Sequence, residues 1–499
     1  MDIPASTSRG WVSFPLLVTL GVLAWGLLAG NVFLDGDPYW HLAVGKWIVS
    51  HRAVPTTEFY SFSMRGIPWT AHEWLSEVVM YGTFQLGSWR ALQILVSLCF
   101  AVTAGYMMRF LLDRMEPVYA IAACAVCLGV TYSHFMGRPH VFVWPIVVVW
   151  VGELVKAGER RTAPSWWLLP MLVGWANLHA SFTLALGFAG ALAADAVMQE
   201  SSSAARLTVA RRWAPFLLAS GVAVLINPRG IGAITHAFGV MQMKETLNVI
   251  GEWRSADFHE FQVWLLWLAL VVAAGVTGRL RLSPIRALFI LGLIYLALKH
   301  QRYHSLCGLV SPFILAAPLG VGVRSAADAT RTNAATLDSV FAYLARPARG
   351  IAVILTGIVS AALIAAVHGT LPREPQKSVR PDAALAAFAR TGVTGHVLNA
   401  YVLGGYLIFK GVPVFIDGRA DMYGDPFMKE TGDALSLRKP RAFENLLAKY
   451  RIAWTLLGPE TPAVELLDHL PAWQRIYGDS VAVVHVRRDL LNAATSQSR

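Results

Sequence analysis

The chain has 499 residues, 55% hydrophobic and only 15% charged, and its apolar residues run in long unbroken blocks. That composition belongs to a membrane protein and excludes an ordinary soluble enzyme. The formal net charge of +11 does not mark a nucleic-acid binder, because the basic residues sit in short loops and form no basic run interleaved with aromatics.

The first apolar block, Trp11 to Leu34, is longer than the core of a signal peptide, and Ala29 to Asn31 make a weak cleavage pattern, so a retained anchor is expected. Asp35 to about Gly87 is too polar and too rich in Trp, His and Pro to cross a bilayer, and is expected to lie at or above its surface. Further spans are expected at about Arg90–Phe110, Pro117–Phe135, Val141–Val155, Trp166–Leu178, Phe182–Met198 and Trp213–Ile226. Others follow at about Gln262–Val276, Ile285–Leu298, Leu306–Val323 and Gly350–Val367, for about eleven in all. Residues 1–368 thus read as a membrane domain. The tail, 369–499, alternates helical spacing (Asp382–Arg390, Pro440–Tyr450) with strand patterns at His396–Tyr401, Val412–Asp417, Ala453–Gly458, Gln474–Tyr477 and Val481–Val486. A small α/β domain is expected there, long enough for a core of its own. Cys99, Cys124, Cys127 and Cys307 fall inside apolar spans and read as packing residues, not as a metal or redox set.

Alternate loops carry Arg9; Arg109 and Arg114; Lys156, Arg160 and Arg161; Arg206, Arg211 and Arg212; Arg279, Arg281 and Arg286; and Arg324, Arg331, Arg346 and Arg349. The positive-inside rule makes these cytoplasmic, together with the amino terminus. An odd number of spans then places the tail outside, in the periplasm if the host has two membranes. The opposite loops gather Asp35, Asp37, His41, His72, Glu73, Arg138, His140, Asn177, His179, Arg229, Arg254, His259, Arg302 and His304. Ionisable groups at helix mouths are costly to desolvate, so their one-sided distribution points to a water-filled site. Interfacial anchoring is the alternative for any single residue.

The stretch DGDPYWHLAVGKWIVSHRAVPTTEFYSFSMRGIPWTAHEWLSEVV resembles the first external loop of a group of uncharacterised bacterial membrane proteins related to polyprenyl-phosphate-dependent glycosyltransferases of the GT-C fold. The matching positions are Asp37, Trp40 to Leu42, the segment from Pro55 and His72 to Leu75. GRPHVF from Gly137, WANLHASF from Trp175, NPRG from Asn227, EWRSADFH from Glu252 and QRYHSL from Gln301 match too, as do LNAYVLGGYLI from Leu398 and VFIDGRADMYGD from Val414. Pro38 and Tyr39, and Ala180 and Ser181, depart from the group's usual residues.

The resemblance implies a bacterial inner-membrane enzyme that takes a sugar from a polyprenyl-phosphate carrier and passes it to a glycan, lipid or protein acceptor on the periplasmic face. Such chemistry needs a base near the attacking hydroxyl and cations on the departing phosphate. Asp37 matches the family's base position, and His72 and Glu73 are expected as catalytic neighbours that hold the sugar or position Asp37; the structural alternatives are a helix-dipole contact for Glu73 and a satisfied buried polar group for His72. Asp35 competes with it, and the DxD spacing can bind a divalent metal, although no cofactor is required. Capping of the helix that begins at Pro38 is the structural alternative for Asp37. His41, Arg138, His179, Arg229, Arg254 and Arg302 are expected to contact the donor, the arginines through guanidinium forks on phosphate. Snorkelling to the headgroups is their alternative. In the tail, Asp417, Arg419 and Asp421 are expected to sit at strand ends and read an acceptor, and Gly404 and Gly405 to form a turn or allow close approach. No GxGxxG or P-loop supports a nucleotide donor. A lipid-linked glycan transporter lacks the internal repeat it would need, while an inactive glycan-binding subunit would keep the same sequence features.

Overall fold

The computed structural model describes residues 9–327 and 335–497. Arg331 and the side chain of Arg324, both in the basic loop set, lie outside the described residues. The chain divides into two compact units, one of Met1–Gly30, Gln93–Ile234 and Gly251–Leu371, the other of Asn31–Leu92, Thr235–Ile250 and Pro372–Arg499.

The first unit is helical. Among the described residues, four helices are long and apolar enough to cross a membrane: Trp74–Leu112, which enters this unit from the other, Pro139–Glu159, Tyr303–Val321 and Gly350–Val367. Phe14–Leu28, Pro117–Tyr132, Leu168–Leu178, Phe182–Met198, Ile231–Val240 and Val263–Val276 are apolar but shorter than the roughly 20 residues a perpendicular span requires. Small residues let helices approach closely. At Gly308 an added Cβ would lie 2.5 Å from the Cys127 carbonyl oxygen. Helix Gly350–Val367 buries little and exposes Ile351, Val353, Ile354, Leu355, Ile358 and Val359, as a lipid-facing helix does. Arg286, one of the basic loop residues, is buried and donates through Nε to Asp195 at 2.8 Å, so it ties helix Pro284–Lys299 to helix Phe182–Met198. All four cysteines are free thiols, and Cys124, Cys127 and Cys307 are buried.

The second unit contains a four-stranded sheet: β1 His396–Asn399, β2 Ile452–Leu457, β3 Trp473–Gly478 and β4 Val483–Arg487, in the order β1-β2-β4-β3. β1 runs parallel to β2, and β4 lies antiparallel to both β2 and β3. Every residue of the continuous apolar run β2 is buried, as expected for a central strand covered on both faces. Val397, Trp454, Leu456, Val484 and Val486 pack with Trp40, Val44, Ile48 and Trp69. Leu398, Leu457 and Val483 pack with Phe415, Tyr423, Phe427 and Phe443. The tail therefore does not close its core alone; helix Asp37–His51 supplies part of it.

Two local expectations change. Val412–Asp417 is not a sheet strand: Val414 exchanges backbone hydrogen bonds with the turn at Tyr60 and Phe62, at 3.1 and 3.0 Å, a two-residue pairing that cannot extend into a ladder. The segment ADMYGDPFMKETGDAL, whose beginning was expected at a strand end, forms helix Ala420–Leu435 with a break at Gly424, where φ is +71°.

Candidate active site

Asp35 and Asp37 stand at the start of helix Asp37–His51, whose first turn is favoured by Pro38. The cap residue is Gly36, not Asp37. Asp35 receives the Asp37 amide on Oδ1 at 2.9 Å, so the free-amide end of the helix is served by Asp35. The Asp37 carboxylate instead accepts the Trp40 indole N–H at 3.2 Å. Gly418 backs it closely: a Cβ there would lie 2.0 Å from Asp37 Oδ1 and 2.9 Å from Trp40 Nε1. Similar backbone packing occurs at Gly405, where a Cβ would meet the Gly36 carbonyl oxygen at 2.1 Å. The glycines of the GGY and DGR motifs thus give the second unit its close backbone contacts.

One helical turn beyond Asp37, His41 is buried between two carboxylates. Its Nδ1 is 3.4 Å from Glu77 Oε1, and its Nε2 is 3.9 Å from Glu73 Oε2. Glu73 Oε1 is also 4.0 Å from His72 Nε2, so His72, Glu73, His41 and Glu77 form one polar line. Glu77 is 1% exposed, and its Oε2 has no hydrogen-bond partner among the described residues, which makes the position costly for a charge. His72 lies with its ring centroid 5.0 Å from that of His236, and His236 Nε2 is 3.1 Å from Asp421 Oδ2. Burial would raise the Asp421 carboxyl, but the His236 hydrogen bond and the charges of His72 and His236 outweigh it and hold it well below the usual range.

Asp417 and Arg419, expected to read an acceptor, are fully or nearly fully buried and committed to each other. Arg419 Nε donates to Asp417 Oδ1 at 2.8 Å, Nη2 to Asp417 Oδ2 at 2.7 Å, and Nη1 to Glu58 Oε2. Tyr423 donates to Asp417 Oδ2 at 2.8 Å, and the guanidinium lies 4.6 Å over the Trp69 ring. Burial disfavours the Arg419 charge, yet Asp417 and Glu58 outweigh it and raise its pKa further. The four guanidinium hydrogen bonds, with Nη2 reaching Glu58 Oε1 as well at 3.2 Å, therefore go to the scaffold carboxylates Asp417 and Glu58.

The first unit holds the expected arginines. Arg138 and Arg302 converge on Glu252, with Nη1 to Oε1 distances of 3.4 and 3.8 Å, and each guanidinium remains about a quarter exposed. The Arg302 amide donates to the Glu252 carbonyl and its guanidinium stacks 4.1 Å over Trp253. Burial pushes Glu252 up, but Arg302 and then Arg138 prevail and bring its pKa down to about 2. His140 donates from Nε2 to the His134 carbonyl, and its ring lies 6.2 Å from that of His179. His179 Nδ1 accepts the Ser181 amide at 3.2 Å. Arg254 is exposed and Arg229 sits at the Asn227 turn; among the described contacts neither joins the Glu252 pair. An apolar cavity of about 230 Å³ is lined by Leu111, Met115, Cys127, Trp267 and Leu319 and includes none of the expected site residues.

No protein-family model and no curated protein sequence matches this chain. Its structure is similar to the apo oligosaccharyltransferase of Archaeoglobus fulgidus, with a TM-score of 0.53 at 9% identity over 89% of this chain and 69% of that one. The same enzyme, AglB, in complex with an inhibitory peptide and a dolichol-phosphate gives 0.50 at 9% identity, again over 89% and 69%. Tethered to an acceptor peptide with an NVT sequon, it gives 0.51 at 10% over 89% and 68%. The chain has the GT-C fold.

On this GT-C framework the expected Asp37, His41, His72 and Glu73 stand in the second unit with Glu77, His236, Asp421 and Glu58, while Arg138 and Arg302 stand in the first with Glu252. Glu252 opens a motif noted in the sequence, and Glu58 lies inside another, so each was visible as a residue but not as a partner. His236 carried no signal at all, because it follows an ordinary apolar helical pattern, Ile231–Val240.

Proposed function

We propose that this protein is a membrane glycosyltransferase that takes a sugar from a polyprenyl-phosphate carrier and passes it to a glycan, lipid or protein acceptor at the periplasmic face of a bacterial inner membrane. The observation that carries the reading is Asp37: a carboxylate at the head of the first external helix, oriented by the Trp40 indole and backed by Gly418, in a chain with the GT-C fold.

In this reading the acceptor hydroxyl gives its proton to Asp37 as its oxygen attacks the anomeric carbon. The bond from that carbon to the phosphate oxygen breaks, and the electron pair leaves with the carrier phosphate. Fixing the carboxylate before reaction is useful because a base that must reorient loses rate. His41, held by Glu73 and Glu77, keeps the neighbouring helical turn in place. Arg138 and Arg302 offer two partly exposed guanidiniums suited to an anion, restrained by one shared carboxylate. The similar enzyme AglB has been captured with a dolichol-phosphate and with an acceptor peptide, which supports this class of donor and the presence of a separate acceptor.

The test is turnover of a panel of polyprenyl-phosphate sugars by the protein purified in detergent. Asp37→Asn preserves shape but cannot take a proton, so turnover should fall by about 100-fold or more with little change in melting temperature. Asp35→Asn should be milder. Near-normal turnover in Asp37→Asn removes Asp37 from the mechanism, and the absence of any donor cleavage by the wild type favours a glycan-binding subunit.

A further inference from the structure

The geometry points to a binding site for a zinc-type divalent cation made by His72, His236 and Asp421. The three come from distant segments of the second unit: the turn before helix Trp74–Leu112, helix Ile231–Val240 and the first turn of helix Ala420–Leu435. Each offers one ligand atom, and these atoms all lie within 4.8 Å of one another.

Two imidazoles and a carboxylate suit zinc and its neighbours in the first transition row, whereas calcium and magnesium prefer oxygen alone. Bonds of about 2.0–2.1 Å in tetrahedral geometry place ligand atoms roughly 3.3 Å apart. The 3.1 Å between His236 Nε2 and Asp421 Oδ2 already meets that spacing, and small side-chain rotations would draw in the remaining ligand. Three protein ligands leave a fourth position for water or a substrate oxygen.

The surroundings fit as well. Asp425, four residues past Asp421 and just beyond the break at Gly424, accepts the amides of Lys244 and Thr246 at 2.8 and 2.9 Å and the Thr246 hydroxyl at 2.7 Å. It thereby ties the segment that follows His236 to the helix that carries Asp421. Glu73 Oε1 is 4.0 Å from His72 Nε2, near enough for a small rotation to make it the outer carboxylate that orients a ligating histidine. The three donor atoms face one another, and the 5.0 Å separation of the two imidazole rings leaves a cation within reach of all three. This donor set differs from the DxD pair, whose Asp35 and Asp37 each spend an oxygen on a hydrogen bond within the same turn.

The proposal does not depend on the transferase reading, because its readout is metal content. Full-length protein purified through a tag without histidines, stripped with chelator and titrated with Zn²⁺, should retain about one zinc per chain after desalting, and its melting temperature should rise with Zn²⁺. Co²⁺ should give the visible absorption of a tetrahedral site. His236→Ala and Asp421→Asn, each checked for an unchanged gel-filtration profile, should weaken binding at least tenfold; His51→Ala, an exposed histidine elsewhere in the unit, should bind as the wild type does. Asp421→Asn changes one atom, so it tests the site even if His236→Ala fails to fold. Zinc retained equally by Asp421→Asn, or none retained by the wild type, overturns the site.

Discussion

Gly418 lies so close to Asp37 that a methyl group on its Cα would sit 2.0 Å from Oδ1 of the carboxylate. A glycine of the tail motif thus sets where the carboxylate at the head of helix Asp37–His51 can be. Gly418→Ala should push the Asp37 side chain off the Trp40 indole, since a side-chain end moves more easily than backbone. Turnover should fall by about tenfold or more while the melting temperature drops by only a few degrees, because a 1 Å displacement of a reacting group is enough to cost that much rate. Turnover equal to wild type would mean that this contact does not position the base.

Arg419→Met should behave as a fold variant. It leaves Glu58 and Asp417 buried without their countercharge, and breaking a buried pair on one side costs about 3–5 kcal/mol. A denaturation series in detergent should show that loss, or the variant should fail to accumulate. A variant of normal stability with a raised KM for acceptor would return Arg419 to the ligand-binding role expected from the sequence.

Glu252 supplies a pH signature. Its pKa is lowered to about 2 in the fold from an ordinary value of 4.5, so its contribution is fully present above about 4.5 and fades as pH falls toward 2. The melting-temperature gap between wild type and Glu252→Gln should therefore hold steady from pH 7 to pH 5 and narrow below it. A gap that stays constant down to pH 3 would show that Arg138 and Arg302 do not act through the Glu252 charge.

Topology is testable directly. Reporter tags inserted after Arg160 and after Arg212 should read cytoplasm, and a tag at the carboxyl terminus should read outside, because the basic loops alternate with the loops rich in histidine. A cytoplasmic carboxyl terminus would move Asp37 and its neighbours away from the periplasmic donor proposed for them.

The sequence alone determined the elements whose signal is local. Uninterrupted apolar blocks marked the apolar helices, four of which among the described residues are long enough to cross a membrane, and the tail's strands at 396, 453, 474 and 481 appeared within a residue or two because alternation and β-branching are properties of consecutive residues. The helix beginning at Asp37 was legible from Asp, Pro and an apolar run, but the same reading left the carboxylate open between cap and base; the structure gives the Asp37 amide to Asp35 and the Trp40 indole to Asp37. Val412–Asp417 had a strand's pattern without a strand's neighbour, since a ladder needs a partner that sequence periodicity does not name. The pairings of charge were out of reach for the same reason. Glu58 meets Arg419 across 361 positions, Glu252 meets Arg138 across 114, and His236 meets Asp421 from a helix with no chemical motif. Desolvation makes each of these charges depend on a specific partner, and only the tertiary structure decides which distant side chain fills that place.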